Sequence, residues 1–215
     1  MKTQTTHFFQ ASRTTAAFTL IELLVVIAII GVIAAMTLSG VGMAKVKKQE
    51  SATIAMKAQL ELAIEDYKKQ FGTYPPDNTN AAPQWNSLAY ELGGVRRSGA
   101  NFISLADPNH TVTPAMLNGC FSLAGLVNDG ANRQKSFLNL KGGGGASANY
   151  TLVTNGTPGL PAVMLLQVPG EHPVGGVNVW RYRAYPATGH NPKTYDLWAE
   201  IKRRDGSTNI ISNWK

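Results

Sequence analysis

Residues 17–38 read Ala17-Phe18-Thr19-Leu20-Ile21-Glu22-Leu23-Leu24-Val25-Val26-Ile27-Ala28-Ile29-Ile30-Gly31-Val32-Ile33-Ala34-Ala35-Met36-Thr37-Leu38. From Phe18 onward only Thr19, Glu22 and Thr37 carry polar side chains. At about 1.5 Å per residue this run extends roughly 30 Å as a helix, the thickness of a bilayer's hydrocarbon layer. The preceding residues, 1–17, are rich in Thr and carry Lys2 and Arg13 with no acid. An ordinary secretory signal fits that basic start, but the apolar run exceeds the usual ~7–15 residues. Thr37 and Ser39, or Gly40 and Gly42, hold the offsets of a cleavage site without making an Ala-x-Ala pattern. A plain membrane anchor also fits, and leaves Glu22 unexplained. A carboxylate within an apolar helix costs about 2.5–3.5 kcal/mol at the bilayer centre and less near its edge. Such an acid either sits solvated among headgroups or has a partner in the membrane.

The stretch Ala17 to Gly31 resembles the class III signal and N-terminal helix of type IV pilins and type II secretion pseudopilins. The resemblance implies a cut between Ala17 and Phe18 by a prepilin peptidase, methylation of Phe18, and retention of the apolar segment as the core of a filament. It makes Glu22 the family's assembly acid, pairing with the Phe18 ammonium of a neighbouring subunit. A pair buried among apolar helices specifies register, because an unpaired member stays buried and charged. Two features depart from the pattern. Ala17 stands where the family has Gly, so slower cleavage is expected. Ser39 stands where many relatives have a helix-breaking proline; Gly40 and Gly42 beside it still weaken the helix by about 1 kcal/mol each relative to alanine, so the segment from Gly31 to Gly42 can bend or unwind on packing.

Beyond the apolar run, Met56, Leu60, Ala63, Ile64, Tyr67 and Phe71 recur at spacings of three and four, with Lys57, Glu61, Glu65, Lys68 and Lys69 between them. One apolar stripe of this kind predicts an amphipathic helix packed on a body. Glu65 and Lys69 are placed for an i,i+4 pair. Gly72 ends the helix and Pro75-Pro76 prevents its resumption. One helix from Phe18 to Phe71 is therefore expected, about 80 Å long if continuous. The stretch Tyr67-Lys68-Lys69-Gln70-Phe71-Gly72-Thr73-Tyr74-Pro75 is similar to the helix exit of the major pseudopilins. Trp180 to Tyr185 and Tyr195 to Ile201 alternate as strands do, and Asn191-Pro192 between them predicts an antiparallel hairpin. The ending Asn209-Ile210-Ile211-Ser212-Asn213-Trp214 also resembles that family.

Residues 77–175 match no recognised pattern. Asp107-Pro108, Asn128-Asp129-Gly130 and Gly142 to Gly145 mark loops, and the glycine run lacks the Lys-Ser/Thr ending of a phosphate loop. Phe121 to Val127, Phe137 to Leu140 and Ala162 to Val168 are short apolar pieces whose type periodicity does not decide. No enzyme motif occurs, and His7, His110, His172 and His190 are scattered. Cys120 is the one cysteine, so no intramolecular disulfide forms, and it reads as a small buried hydrophobe. Net charge is +7, of which Lys2 and Arg13 leave with residues 1–17, giving +5. That surplus permits weak attraction to nucleic acid or anionic lipid and singles out neither.

Major pseudopilins carry a calcium loop after the Tyr-Asp-Leu strand. Here Lys202-Arg203-Arg204 occupies much of it and only Glu200 and Asp205 remain as carboxylates, too few for an ion that takes six to eight oxygens. No calcium or other cofactor is expected. The whole reading is an α+β protein: a long N-terminal helix, membrane-spanning in its first half, packed on a small antiparallel sheet body with a loop-rich middle. The expected divisions are a leader 1–17, a transmembrane or filament-core half helix 18–43, an amphipathic half and exit loop 44–76, and a body 77–215 in the periplasm or on the cell surface. The resemblance implies a non-enzymatic filament subunit in the inner membrane, crossing it once. Its partners would be copies of itself or related pseudopilins, the prepilin peptidase, membrane lipid, and an assembly platform with a separate ATPase. A membrane-anchored adhesion or DNA-binding module exported by the same signal stays open as the alternative. Lys45, Lys47 and Lys48 beside the membrane exit fit headgroups better than DNA; Lys202 to Arg204 fit either, or a solvated turn.

Overall fold

The computed structural model describes residues 18–78, 82–129, 135–140, 142, 148–156 and 158–214, apart from the side chains of 37–43. The expected leader lies outside the described residues. Helix α1 runs Leu20–Phe71, starting two residues after the expected Phe18. The molecule divides between Gly42 and Met43 into two units.

In the first unit every described side chain of residues 18–36 is exposed, Leu20 at 82% and Ile27 at 60%. Among the described residues no helix is long and apolar enough to cross a membrane. The described apolar run of α1 stops at Met36, so part of the expected spanning half, 18–43, falls on side chains outside the described set.

The second unit buries its helix. Met56, Leu60, Ala63, Ile64 and Tyr67 are all within the core, and Phe71 packs against it, which is the stripe the sequence sets out. Gly72 ends α1 at φ +79°, its N–H donating to the Lys68 carbonyl at 2.8 Å; a left-handed residue there favours glycine. The expected Glu65–Lys69 pair is not made. Lys69 joins Asp66 at 2.9 Å, and Glu65 accepts from the Tyr74 hydroxyl at 3.2 Å. The chain folds back after Gly72 and offers a partly buried hydroxyl, which competes easily with an exposed pair worth only tenths of a kcal/mol.

Among the described residues the body holds three small antiparallel sheets rather than one. β1 (Val95–Ser98), β2 (Asn101–Ser104) and β3 (Thr111–Val112) form the first, β4 (Tyr150–Val153) and β5 (Val163–Leu166) the second, and β6 (Arg181–Ala184), β7 (Tyr195–Lys202) and β8 (Thr208–Ser212) the third. The hairpin read from the sequence is β6–β7, in register Arg181 to Trp198 and Ala184 to Tyr195. The described residues of the body also form two short helices, α2 (Leu88–Gly93) and α3 (Pro114–Phe121). In α3 the Thr113 hydroxyl accepts from Met116 N and Pro114 opens the first turn, an arrangement suited to helix initiation. Of the three undecided apolar pieces, the first is mostly loop after α3, the second buries Leu138 and Leu140 without regular structure, and the third contains β5.

The third sheet lies along α1. Lys57 Nζ donates to the Ser212 carbonyl at 2.9 Å, and Glu50 Oε1 accepts from Asn209 Nδ2 at 2.8 Å. Asn213 fastens the chain end to β7: its Oδ1 accepts from Leu197 N at 2.9 Å, and its Nδ2 donates to the Tyr195 carbonyl at 2.8 Å.

Candidate functional site

At the start of α1 the backbone has N–H groups that no helical turn can satisfy. Thr19 and Glu22 answer this reciprocally. The Thr19 hydroxyl accepts from Glu22 N at 3.3 Å, while Glu22 Oε2 accepts from Thr19 N at 2.9 Å and from the Thr19 hydroxyl at 2.8 Å. This is a capping box, in which the residue before the helix and the third residue within it satisfy each other. Both bonds from Thr19 land on one oxygen of Glu22, and Oε1 takes no part in them. The negative charge also sits favourably at the positive end of the helix dipole. Phe18 stands just outside, 77% exposed; Ala17, the other half of the expected junction, lies outside the described residues. Thr19 is the residue that the sequence reading missed, although Thr-x-x-Glu before an apolar run is a visible signal.

The apolar side chains behind this box form no stripe. Leu20, Ile21, Leu23, Val25, Ile30 and Ile33 are each about half exposed or more, and at about 100° per residue they point to all sides of the helix. A helix apolar all round is suited to a membrane or to the interior of a helix bundle. Here α1 is helical through Gly31, Gly40 and Gly42.

The two carboxylates of the C-terminal loop are held apart from one another in their bonding. Glu200 Oε2, on β7, meets Arg181 Nη2 at 3.3 Å and His172 Nε2 at 3.8 Å. Asp205, in the β7–β8 turn, accepts from Ser207 N at 2.9 Å and from its hydroxyl at 2.6 Å, bonds that hold its carboxyl below the ordinary range. Among the described residues no three His, Cys, Asp or Glu side chains are placed to hold a metal ion.

Several other titratable groups of the body sit in packing contacts or hydrogen bonds of the fold. Cys120 is buried, and burial pushes its thiol up, away from reactivity. His110 bonds the Tyr90 hydroxyl at 2.7 Å, and His190 stacks on Trp214 at 4.1 Å between ring centres. Glu91, on α2, went unnoticed in the sequence. It is fully buried, accepting from Tyr67 Oη, Val127 N and Asn128 N, each at 2.9 Å. Burial raises its carboxyl pKa, while these three donors and the nearby Asp129 charge pull in opposite directions, the donors lowering it and Asp129 raising it.

Comparison with known proteins bears on the first of these regions most directly. The family model described as the prokaryotic N-terminal methylation motif matches residues 12–43. The chain is also similar to the fimbrial protein EcpC of Eikenella corrodens, with 32% identity over 117 residues, which cover 53% of this chain and 76% of that protein. No solved structure matches it.

Proposed function

This chain belongs to the type IV pilin-like family, and we propose that it is the structural subunit of a pilus or pseudopilus whose core is built from residues 18–43. The observation that carries this reading is the methylation-motif match over residues 12–43. The exposed, all-round apolar start of α1 supports it, since such a surface is suited to burial in a membrane or among other helices. A prepilin peptidase cuts between Ala17 and Phe18 and methylates Phe18. The apolar half then anchors the subunit in the inner membrane until a platform and its separate ATPase move it into the filament. There the Glu22 carboxylate receives the Phe18 ammonium of a neighbour, and Oε1, which the capping box leaves aside, is the oxygen proposed to take it.

Methylation keeps the α-amino charge, so the pair survives processing. Its value lies in position more than in strength, since a buried carboxylate or ammonium that misses its partner costs several kcal/mol. Intact-mass analysis of the membrane-extracted protein tests the reading. The expected mass lacks residues 1–17 and carries one added methyl group. A mature N-terminus beyond Ser39 would establish ordinary signal-peptide processing and remove the filament core altogether.

A further inference from the structure

Two basic stretches far apart in the sequence meet on the second unit. Lys45, Lys47 and Lys48 are exposed on α1, and Lys202, Arg203 and Arg204 are exposed at the end of β7 and in the turn that follows. Hydrogen bonds tie one stretch to the other along two routes. Glu50 Oε1 holds Asn209 Nδ2 at 2.8 Å, and Asn209 Oδ1 accepts from Arg203 Nη2 at 2.9 Å. Lys45 Nζ meets Glu171 Oε1 at 2.8 Å, and the Glu171 carbonyl accepts from Lys202 N at 2.8 Å. Val46, Glu50, Arg203, Arg204 and Asp205 consequently line one open cleft. The two tied stretches together carry six cations against three carboxylates, Glu50, Glu171 and Asp205. Glu171 takes Lys45, while Glu50 and Asp205 accept from the neutral Asn209 and Ser207; the six cations are all exposed and exceed the three carboxylates by three charges.

We propose that this basic collar docks on anionic phospholipid headgroups, holding the body to the membrane surface before assembly. The proposal rests on the membrane-anchored reading of residues 18–43. Connectivity alone favours lipid over other polyanions. Lys45 follows the last residue of the apolar run, Leu38, by seven positions, about 10 Å of helix and at most about 25 Å of extended chain. The potential of an anionic leaflet acts over about a Debye length, some 10 Å at moderate salt. Lys and Arg stems lengthen that reach, and several cations on one rigid turn engage headgroups together where a single exposed ion pair would count for little. Lys202, Arg203 and Arg204 add three cations to the three lysines of α1, held beside it by the Glu50–Asn209–Arg203 bonds.

The test uses the full chain reconstituted into phosphatidylcholine vesicles with or without phosphatidylglycerol. A fluorophore attached through Thr208→Cys reports on the turn, because Cys120 is buried and Thr208 is exposed. A quencher carried on lipid headgroups should dim it several-fold more in phosphatidylglycerol vesicles. High salt should abolish the difference, as should Lys202→Gln/Arg203→Gln/Arg204→Gln. Lys47→Gln/Lys48→Gln, on α1 and outside the turn, should reduce it as well, which guards against a turn variant that misfolds. Equal quenching in both vesicle types would overturn the collar and leave the anchor intact. Failure to float with either vesicle would instead bring down the anchor and the collar with it. Tighter binding to duplex DNA than to phosphatidylglycerol vesicles would reassign the surface to nucleic acid and defeat the proposal.

Discussion

The two ends of α1 share a backbone and little else. From Phe18 to Met36 its large apolar side chains are exposed on every side; from Met56 to Tyr67 they form one stripe, and that stripe is buried. The first stretch keeps its apolar side chains exposed, whereas the second buries its own within the body. The contrast shows how one element can serve both a fold and an assembly. Apolar periodicity fixes the part that folds the body, and its absence marks the part left for other molecules.

The largest effect should come from breaking the outward-looking end. Glu22→Ala removes one member of the proposed buried pair, a loss of about 3–5 kcal/mol at each subunit, together with the capping box, worth about 1 kcal/mol. Filament yield by shearing and electron microscopy should collapse, while cleavage, membrane retention and the stability of the body persist. Glu22→Gln sharpens this, because glutamine can keep the capping box but carries no charge; it should fail as well. Wild-type filament yield from Glu22→Ala would leave Glu22 as a solvated interfacial acid.

Next in size is a truncation in the inward-looking end. Ile64→Ala should lower the unfolding free energy of the body by about 2–5 kcal/mol in denaturant titrations. Ile27→Ala, the same kind of deletion at an exposed position, should leave that measurement unchanged. If both cost alike, the two ends are not energetically distinct and the comparison fails.

A smaller effect concerns pH. Burial holds the Glu91 carboxyl above its ordinary value, so the native state binds this proton more readily than the unfolded chain does. The resulting stabilisation is complete below the unfolded carboxyl range and is lost as pH rises through the folded value. Glu91→Gln should flatten that decline in thermal melts, while costing about 1–3 kcal/mol for donors left unsatisfied among Tyr67, Val127 and Asn128. A decline of unchanged slope in Glu91→Gln would assign the pH dependence to other groups. Smallest of all is the effect of chelator on the full chain in detergent, where no change in melting temperature is expected. A drop restored by added calcium would mean that Glu200 and Asp205 leave their present partners to ligate the ion.

The elements legible in the sequence were those with contrast along them. α1's second half alternates core and solvent, Gly72 punctuates it, and β6–β7 alternate as strands bordering one face. β5 could not be distinguished, because all four of its residues are buried and a continuous apolar run suits strand or helix equally. α2 is hidden for a related reason: all six residues are buried, so no polar face announces a helix. β3 has only two residues and exists through its pairing with β2. At the N-terminus Glu22 is legible as a charge out of place in an apolar run, whereas its use as a cap depends on the helix starting at Leu20, which puts it three residues beyond Thr19. Glu65 erred the other way: spacing alone pairs it with Lys69, and only the fold-back at Gly72 brings Tyr74 to it.

Glu50–Asn209 and Lys57–Ser212 join α1 to β8 as two rungs. They are seven residues apart on the helix and three apart on the strand, about 10 Å by either measure. Both chains run the same way, so the rungs are matched in length. Tension applied along α1 therefore loads them together, in shear, and passes through β8 into β7 at Asn213. Bonds that must break at once resist pulling better than bonds that unzip singly, which suits a part handled by its helix as though by a shaft.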